Sequence, residues 1–203
     1  MFSEIKKISS LLLSVAFSSI GFIASITVTV LAAREVSSNP LFVGFPNAVG
    51  VGGAVLGTRM IYLISKTNSQ LNALAFTFLI GAFGGAIMFY SLIIDSFLLL
   101  LLGAFILGIG QSATLQTRYA ASFVAGTKFK ATALSLAVWF SVFGSVFGPR
   151  MVGSYSNFFE NIFNSDLIVG YVIAFVGMLF AATSLFTFTS KNSILRSPSD
   201  LEN

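Results

Sequence analysis

The sequence predicts an all-α, polytopic membrane protein with six transmembrane helices. Of its 203 residues, 56% are hydrophobic and only 9% are charged, whereas a soluble domain carries roughly 25% charged residues. Six apolar stretches are long enough to cross a bilayer, which takes about 20 residues, and short polar breaks separate them. The predicted spans are Ile8–Ala33, Leu41–Ile64, Leu71–Ile94, Phe97–Ala120, Ala131–Val152 and Leu167–Thr189. Residues 1–189 are therefore predicted to form one six-helix bundle in the lipid bilayer, and the polar segment 190–203 a disordered tail.

The first span follows two lysines and is longer than the apolar region of a signal peptide, so we predict that it is retained. One face of this span carries small hydroxyl side chains at helical spacing. Such a stripe either packs against a neighbouring helix or lines a solute path. Its members are Ser14, Ser18, Ser25 and Thr29.

Spans two and five carry glycines at helical spacing, which lets another backbone approach closely. The spacing between Gly53 and Gly57 recurs between Gly144 and Gly148. This repetition is expected if spans one to three and four to six form a 3+3 inverted repeat. A proline in the fifth span is expected to bend the helix. The predicted packing and hinge residues are Gly53, Gly57, Gly144, Gly148, Pro149 and Gly153.

Polar residues in span four and arginines near two span ends are the candidate solute-contacting or gating residues. Gln111 and Thr114 are three apart and share a helix face, so they either line a cavity or bond to a neighbouring helix. Arg118, at the inner end of span four, is either an interfacial anchor or a gating contact. Arg150, about one turn inside the outer end of span five, is either an anchor or a substrate contact. The candidates are Arg118, Arg150, Gln111, Thr114 and Gln116.

The residues that are missing limit the possible chemistry. The chain contains no histidine and no cysteine, which excludes imidazole and thiolate metal sites, cysteine nucleophiles and a Ser-His-Asp triad within it. Every acidic residue lies at a span end, in a break or in a tail, so the spans offer no carboxylate for acid–base catalysis or proton coupling. We expect no enzyme activity, metal, cofactor or nucleic-acid partner.

The basic residues are distributed unequally between the two sides of the predicted bundle. With six spans, the two tails and the breaks after spans two and four lie on one side of the membrane. Nine of the eleven basic residues lie in these segments or at the span ends beside them, and only Arg34 and Arg150 lie on the other side. Basic residues concentrate on the cytoplasmic side of membrane proteins. We therefore expect a multi-pass protein of the plasma membrane with both termini in the cytoplasm.

Two motifs resemble the major facilitator superfamily (MFS), and specifically its amino-terminal six-helix half. The stretch from Gly144 to Gly153 is similar to the fifth-helix motif of the family, which is associated with antiporters. A second stretch resembles the end of the fourth helix, the following loop and the start of the fifth helix. It contains Gly108, Gly110, Gln111, Gln116, Arg118, Tyr119, Ala120, Ala121, Ala133, Leu134, Ser135, Leu136 and Trp139.

The resemblance implies transport of a small solute or drug-like molecule by alternating access, with a second six-helix bundle as partner. Two features depart from the family pattern. Ile61 stands where the loop after helix two usually carries an aspartate, and the chain has six predicted helices instead of twelve. We therefore expect half of a split transporter, a half-size transporter that forms a homodimer, or a truncated, non-transporting relative with an accessory role in assembly.

Overall fold

The computed structural model describes residues 2–37, 40–163 and 165–189, and this part of the chain contains six α-helices and no β-strand. Each helix contains a stretch long and apolar enough to cross a membrane, so the predicted all-α, six-helix fold is confirmed. The tail predicted for residues 190–203 lies outside the described residues. The helices are α1 (Phe2–Val36), α2 (Phe45–Thr67), α3 (Gln70–Ile93), α4 (Phe97–Val124), α5 (Gly126–Phe163) and α6 (Ile168–Thr189).

The fifth helix is much longer than predicted. It runs without interruption from Gly126 through Pro149 to Phe163, so most of the break predicted after Val152 is helical. The end of α5 is held against the bundle by aromatic packing, since Phe163 meets Phe89 of α3 edge to face with ring centroids 5.5 Å apart. The interspersed serines, asparagines and glutamate of this segment suggested a loop, but they occupy an exposed helix face.

Two of the helix connections are very short turns. Only Ala125 separates α4 from α5, and the following Gly126 has a φ of 69°, which glycine adopts without steric strain. Between α3 and α4, Asp95 has a φ of 50°. The N–H of Ser96 donates to the carbonyl of Ser91 at 3.0 Å, which is the bond that closes a Schellman-type helix end.

Four helices form the core of the bundle, and two lie at its periphery. About half of the membrane-crossing residues are buried in α1, α3, α4 and α6, but only 17% in α2 and 22% in α5. The largest side chains of the core include Phe78, Met88, Leu100 and Tyr171. The peripheral helices contact the core along narrow stripes of small residues and expose the rest of their surface.

The same helix pairing occurs in both halves of the bundle. Helix α2 lies parallel to α4, and α5 lies parallel to α1. Helix α3 packs antiparallel on α4 in the way that α6 packs antiparallel on α1. The equivalent helices α1 and α4 run in opposite directions, because α1 is antiparallel to α6, α6 to α3, and α3 to α4. This is the arrangement that the predicted inverted repeat requires.

Candidate functional site

Two adjoining cavities lie between α1 and α4 and together form a cleft. The larger one, of about 250 Å³, lies mainly between α1, α2 and α4. The smaller one, of about 140 Å³, lies between α1, α4 and α5, toward the end of the bundle at which α1 begins. Phe22 and Gln111 line both cavities. The inverted repeat relates the two, since it exchanges α1 with α4 and α2 with α5.

The hydroxyl groups of the larger cavity bond mainly within the protein. Ser25 Oγ donates to the carbonyl of Phe22 at 2.7 Å, and Thr29 Oγ1 donates to the carbonyl of Ser25 at 2.7 Å. The hydroxyl of Tyr171 donates to Thr29 Oγ1 at 3.4 Å. The rest of the wall combines apolar side chains, including Ile26, Met88 and Leu107, with the amide side chains of Asn47 and Gln111. This cavity therefore offers a solute both apolar contacts and amide groups.

The smaller cavity contains polar atoms that have no partner. Among the described residues, no group hydrogen-bonds to Ser19 Oγ, Thr114 Oγ1 or Arg118 Nε, although all three atoms are buried. Ser19 and Thr114 are only 5% and 4% exposed. A buried polar atom without a partner costs about 1–3 kcal/mol, and more if it is charged. Three such atoms around one cavity indicate a site for a polar ligand or for ordered water.

Helix α4 brings three of the predicted candidates into this cavity. Gln111, Thr114 and Arg118 are separated by three and four residues, so they lie along one helix face, and all three line the smaller cavity. The same helix is closely packed on its other sides. A Cβ on Gly81 of α3 would lie 2.6 Å from the Cα of Gly110, and a Cβ on Gly108 would collide with the carbonyl oxygen of Gly50 in α2. The position of the polar face is therefore determined by backbone contacts with α2 and α3.

The peripheral helices reach the core through their predicted glycines. A Cβ on Gly53 or Gly57 would collide with Phe105 or Ser112 of α4. A Cβ on Gly144 would lie 2.6 Å from the backbone carbonyl carbon of Ser19. Since Ser19 lines the smaller cavity, this contact also sets the distance between the walls formed by α1 and α5.

The remaining glycines and proline of the α5 motif differ in their surroundings. A Cβ on Gly148 would lie 3.1 Å from the amide nitrogen of Ala24, so this glycine also packs on α1. Gly153 has no close neighbour from another helix in the described part of the chain, because a Cβ there would meet nothing within 4 Å. Pro149 lies inside the helix and has no N–H for the carbonyl of Ser145, four residues earlier. Ser145 lines the smaller cavity.

Two predicted candidates lie outside the cleft. Gln116 is half-buried on α4 but lines neither cavity. Arg150 is exposed on α5, and its predicted position about one turn from the helix end is wrong because α5 continues to Phe163.

The four hydroxyl residues of the α1 stripe separate into two groups. Ser14 and Ser18 are fully buried with bonds to their own helix, whereas Ser25 and Thr29 line the larger cavity.

Three serines of the smaller cavity were not among the residues predicted from the sequence. Ser19 comes from α1, and Ser141 and Ser145 come from α5. The four-residue spacing of Ser141 and Ser145, beside the equally spaced Gly144 and Gly148, was a signal that could have identified them. Within the described part of the chain, no group of three or more acidic residues is placed to hold a metal ion.

Comparisons with known proteins agree with the fold. The chain is 30% identical over 174 residues to the uncharacterized MFS-type transporter YdeG of Bacillus subtilis (strain 168), covering 86% of this chain and 40% of that protein. It is 30% identical over 183 residues to the uncharacterized MFS-type transporter YddS of the same organism, covering 90% of this chain and 42% of that protein. No protein-family model matches the chain, and no solved structure matches it.

The chain thus spans about two fifths of the length of these curated relatives. The similarity extends over nearly all six helices and includes both motifs from which the resemblance was predicted. Together with the six membrane-crossing helices, it identifies a multi-pass membrane protein. The predicted resemblance is confirmed, and the chain is a six-helix relative of the transporters of the major facilitator superfamily.

Proposed function

We propose that this bundle forms one half of a transporter that moves a small solute across the membrane by alternating access. The observation that carries the proposal is the cleft between α1 and α4, where three buried polar atoms have no hydrogen-bond partner among the described residues. Polar side chains inside a membrane bundle mark solute or ion pathways. Both relatives are named as MFS-type transporters, which supports the same function.

Alternating access needs a second bundle against which this one can rock. The second bundle is a second copy of this chain, a separate polypeptide or a further part of a longer chain. Helices α2 and α5 border the cleft and expose large apolar side chains, including Val51, Val55 and Val146. These surfaces suit contact with lipid or with another apolar bundle. The greater length of both relatives favours a second bundle.

The side chains of the cleft fit transport of a solute better than catalysis of a reaction. The residues that line its two cavities include no acidic side chain. A general acid–base pair or a metal-activated water would need such groups or histidine. The cleft instead offers hydroxyl and amide groups and one arginine, which are suited to binding a solute.

The transport proposal is tested by filling the cleft. Ser145→Trp places an indole at the cavity wall, whereas Phe143→Trp is the matched control on the same helix, because Phe143 is exposed and lines neither cavity. Mass spectrometry compares the small-molecule content of cells that express each variant, the wild type or no protein. We expect at least one solute to change several-fold with the wild type and the control, but not with Ser145→Trp.

Two results of this comparison would contradict the proposal. If Ser145→Trp changes cell contents as the wild type does, the cleft is not the path. If the wild type has no effect on any solute, the accessory, non-transporting function is favoured instead.

We also propose that the protein lies in the plasma membrane with both termini in the cytoplasm, which the distribution of basic residues supports. The chain contains no cysteine, so a single introduced thiol reports its own location. Ser3→Cys and Ser199→Cys should react only with reagents that enter the cytoplasm. Asn157→Cys, at the far end of α5, should react with an impermeant maleimide added outside. Labelling of Ser3→Cys from outside would refute this orientation.

A further inference from the structure

We infer that the solute carries an anionic group, a carboxylate or a phosphate, which binds in the smaller cavity to the guanidinium of Arg118. This inference rests on the proposed transport function and names the class of its solute. The cavity is bounded by α1, α4 and α5 and has a volume of about 140 Å³, which is enough for such a group. Three of its lining residues, from two helices, carry a buried polar atom that has no hydrogen-bond partner within the described part of the chain.

The hydrogen-bonding capacity of these atoms selects an acceptor. The guanidinium of Arg118 can only donate hydrogen bonds, while the hydroxyls of Ser19 and Thr114 can donate or accept. Carboxylate and phosphate oxygens can accept from each of these groups and form the charge-assisted bonds that arginine favours. An apolar solute would leave all three atoms without partners. A cationic solute would be repelled by the arginine.

The surrounding charge points in the same direction. Among the described residues, no acidic side chain lines either cavity of the cleft, so none of them neutralises the positive charge of Arg118 there. A permanent cation in a partly dry site attracts an anion more strongly than the same charge does in water. The smaller cavity is therefore electrostatically suited to an anion.

Arg118 differs from other basic residues near the same end of the bundle. Arg59 of α2 is exposed. Lys66 and Lys130 lie over the rings of Tyr62 and Phe123, with 4.6 and 4.8 Å from Nζ to the ring centroids. Arg118 is half-buried, and its Nε has no partner among the described residues. A simple interfacial anchor needs only exposure to the interface, and Arg59 meets that description.

The larger cavity indicates the rest of the solute. It adjoins the anion site at Phe22 and Gln111, and its walls combine apolar side chains with the amide of Asn47 and with hydroxyls that already bond within the protein. Together the two cavities reach the lower end of the size range of ligand sites, roughly 300–1,000 Å³. An organic anion with a short apolar body, of the size of an aromatic carboxylate, fits both the polar and the apolar parts of the cleft.

The test compares probes of one size and different charge. The chain is purified in nanodiscs of phosphatidylcholine, and calorimetry measures the binding of benzoate, benzyl alcohol, benzylammonium and inorganic phosphate. We expect benzoate or phosphate to bind and the neutral and cationic probes to bind at least tenfold more weakly. The inference is overturned if neither anion binds at tens of millimolar, or if the neutral or cationic probe binds as well as the anions.

Matched variants then locate the site. Arg118→Gln should weaken anion binding at least tenfold, whereas Arg118→Lys should retain part of it because the charge remains but the forked geometry is lost. Thr114→Val should weaken binding several-fold. The controls are Arg59→Gln and Thr117→Val, and Thr117 Oγ1 already donates to the carbonyl of Ala113 at 2.7 Å. Equal losses in the variants and their controls would contradict a site at Arg118.

Two further outcomes separate the alternatives. If the wild type retains phosphatidylglycerol through purification, Arg118→Gln does not, and the soluble anions fail to bind, Arg118 binds a lipid headgroup and the inference about the solute is wrong. If expression changes the content of neutral or cationic solutes in cells but of no anion, the transport proposal is supported and the inference that the solute is an anion is wrong. If anions bind at Arg118 but the content of no solute changes in cells, the anion-binding site is supported and the transport proposal is contradicted.

Discussion

The glycines of α5 allow a prediction in which two similar substitutions differ in their effect on stability. In Gly144→Ala, the new Cβ would lie 2.6 Å from the carbonyl carbon and the Cβ of Ser19 and 2.8 Å from the amide nitrogen of Ile20. Ordinary carbon contacts lie at about 3.5–4.0 Å, so α5 must move away from α1 by about 1 Å. A gap of that size removes up to about half of the dispersion energy of each contact. Overpacking of this kind destabilises by about 1–3 kcal/mol.

Gly153→Ala is the matched control, because a Cβ at Gly153 would meet nothing within 4 Å. Both sites lie within the same helix, where alanine is favoured over glycine by about 1 kcal/mol. That gain is common to both variants and cancels in their comparison. We therefore expect Gly153→Ala to be neutral or stabilising and Gly144→Ala to be less stable than Gly153→Ala by about 1–3 kcal/mol.

The assay measures thermal unfolding of the purified variants in dodecyl maltoside. Its readout is the fraction of protein that remains monodisperse on a size-exclusion column after heating. For a chain of this length, 1 kcal/mol corresponds to about 2–4 °C. The apparent melting temperature of Gly144→Ala should therefore lie about 2–12 °C below that of Gly153→Ala. Equal melting temperatures would refute the close approach of α5 to α1.

Two further substitutions test other parts of the fold in the same assay. Since Asp95 has a φ of 50°, Asp95→Gly should raise the stability by about 0.5–1 kcal/mol and Asp95→Ala should lower it; the reverse order would contradict the left-handed turn. Tyr171→Phe removes the bond at 3.4 Å to Thr29 Oγ1 but keeps the buried ring, so it should destabilise by only about 0.5–1.5 kcal/mol. A loss above about 3 kcal/mol would show that the Tyr171 hydroxyl has a more important partner.

Much of the architecture follows from local properties of the chain. The number of helices and their approximate centres follow from hydropathy, because a bilayer-spanning stretch is recognisable without knowledge of its neighbours. The positions of Gly53, Gly57, Gly144 and Gly148 also pointed to the close contacts, since a helix without side chains on one face can approach another backbone. The ends of the helices were less predictable. The polar residues after Val152 resemble a loop, and only the packing of Phe163 on Phe89 shows why the helix continues.

The candidate site was only partly predictable. The shared face of Gln111 and Thr114 follows from helical periodicity, and Arg118 lies one turn further along that face. The opposite walls of the cavity, Ser19 on α1 and Ser145 on α5, could not be paired with them, because periodicity within one helix carries no information about the helix that faces it. For the same reason, no spacing rule separates Gly144, which touches α1, from Gly153, which touches nothing.

The amino-acid sequence alone therefore establishes a six-helix membrane protein, its repeated glycine spacing and its resemblance to a transporter family. These properties depend on hydropathy and on neighbours within a few residues along the chain. The tertiary structure decides which polar groups meet in one cavity and which of them lack a partner. That outcome depends on contacts between residues that lie about a hundred positions apart, and such contacts arise only when the helices pack against one another.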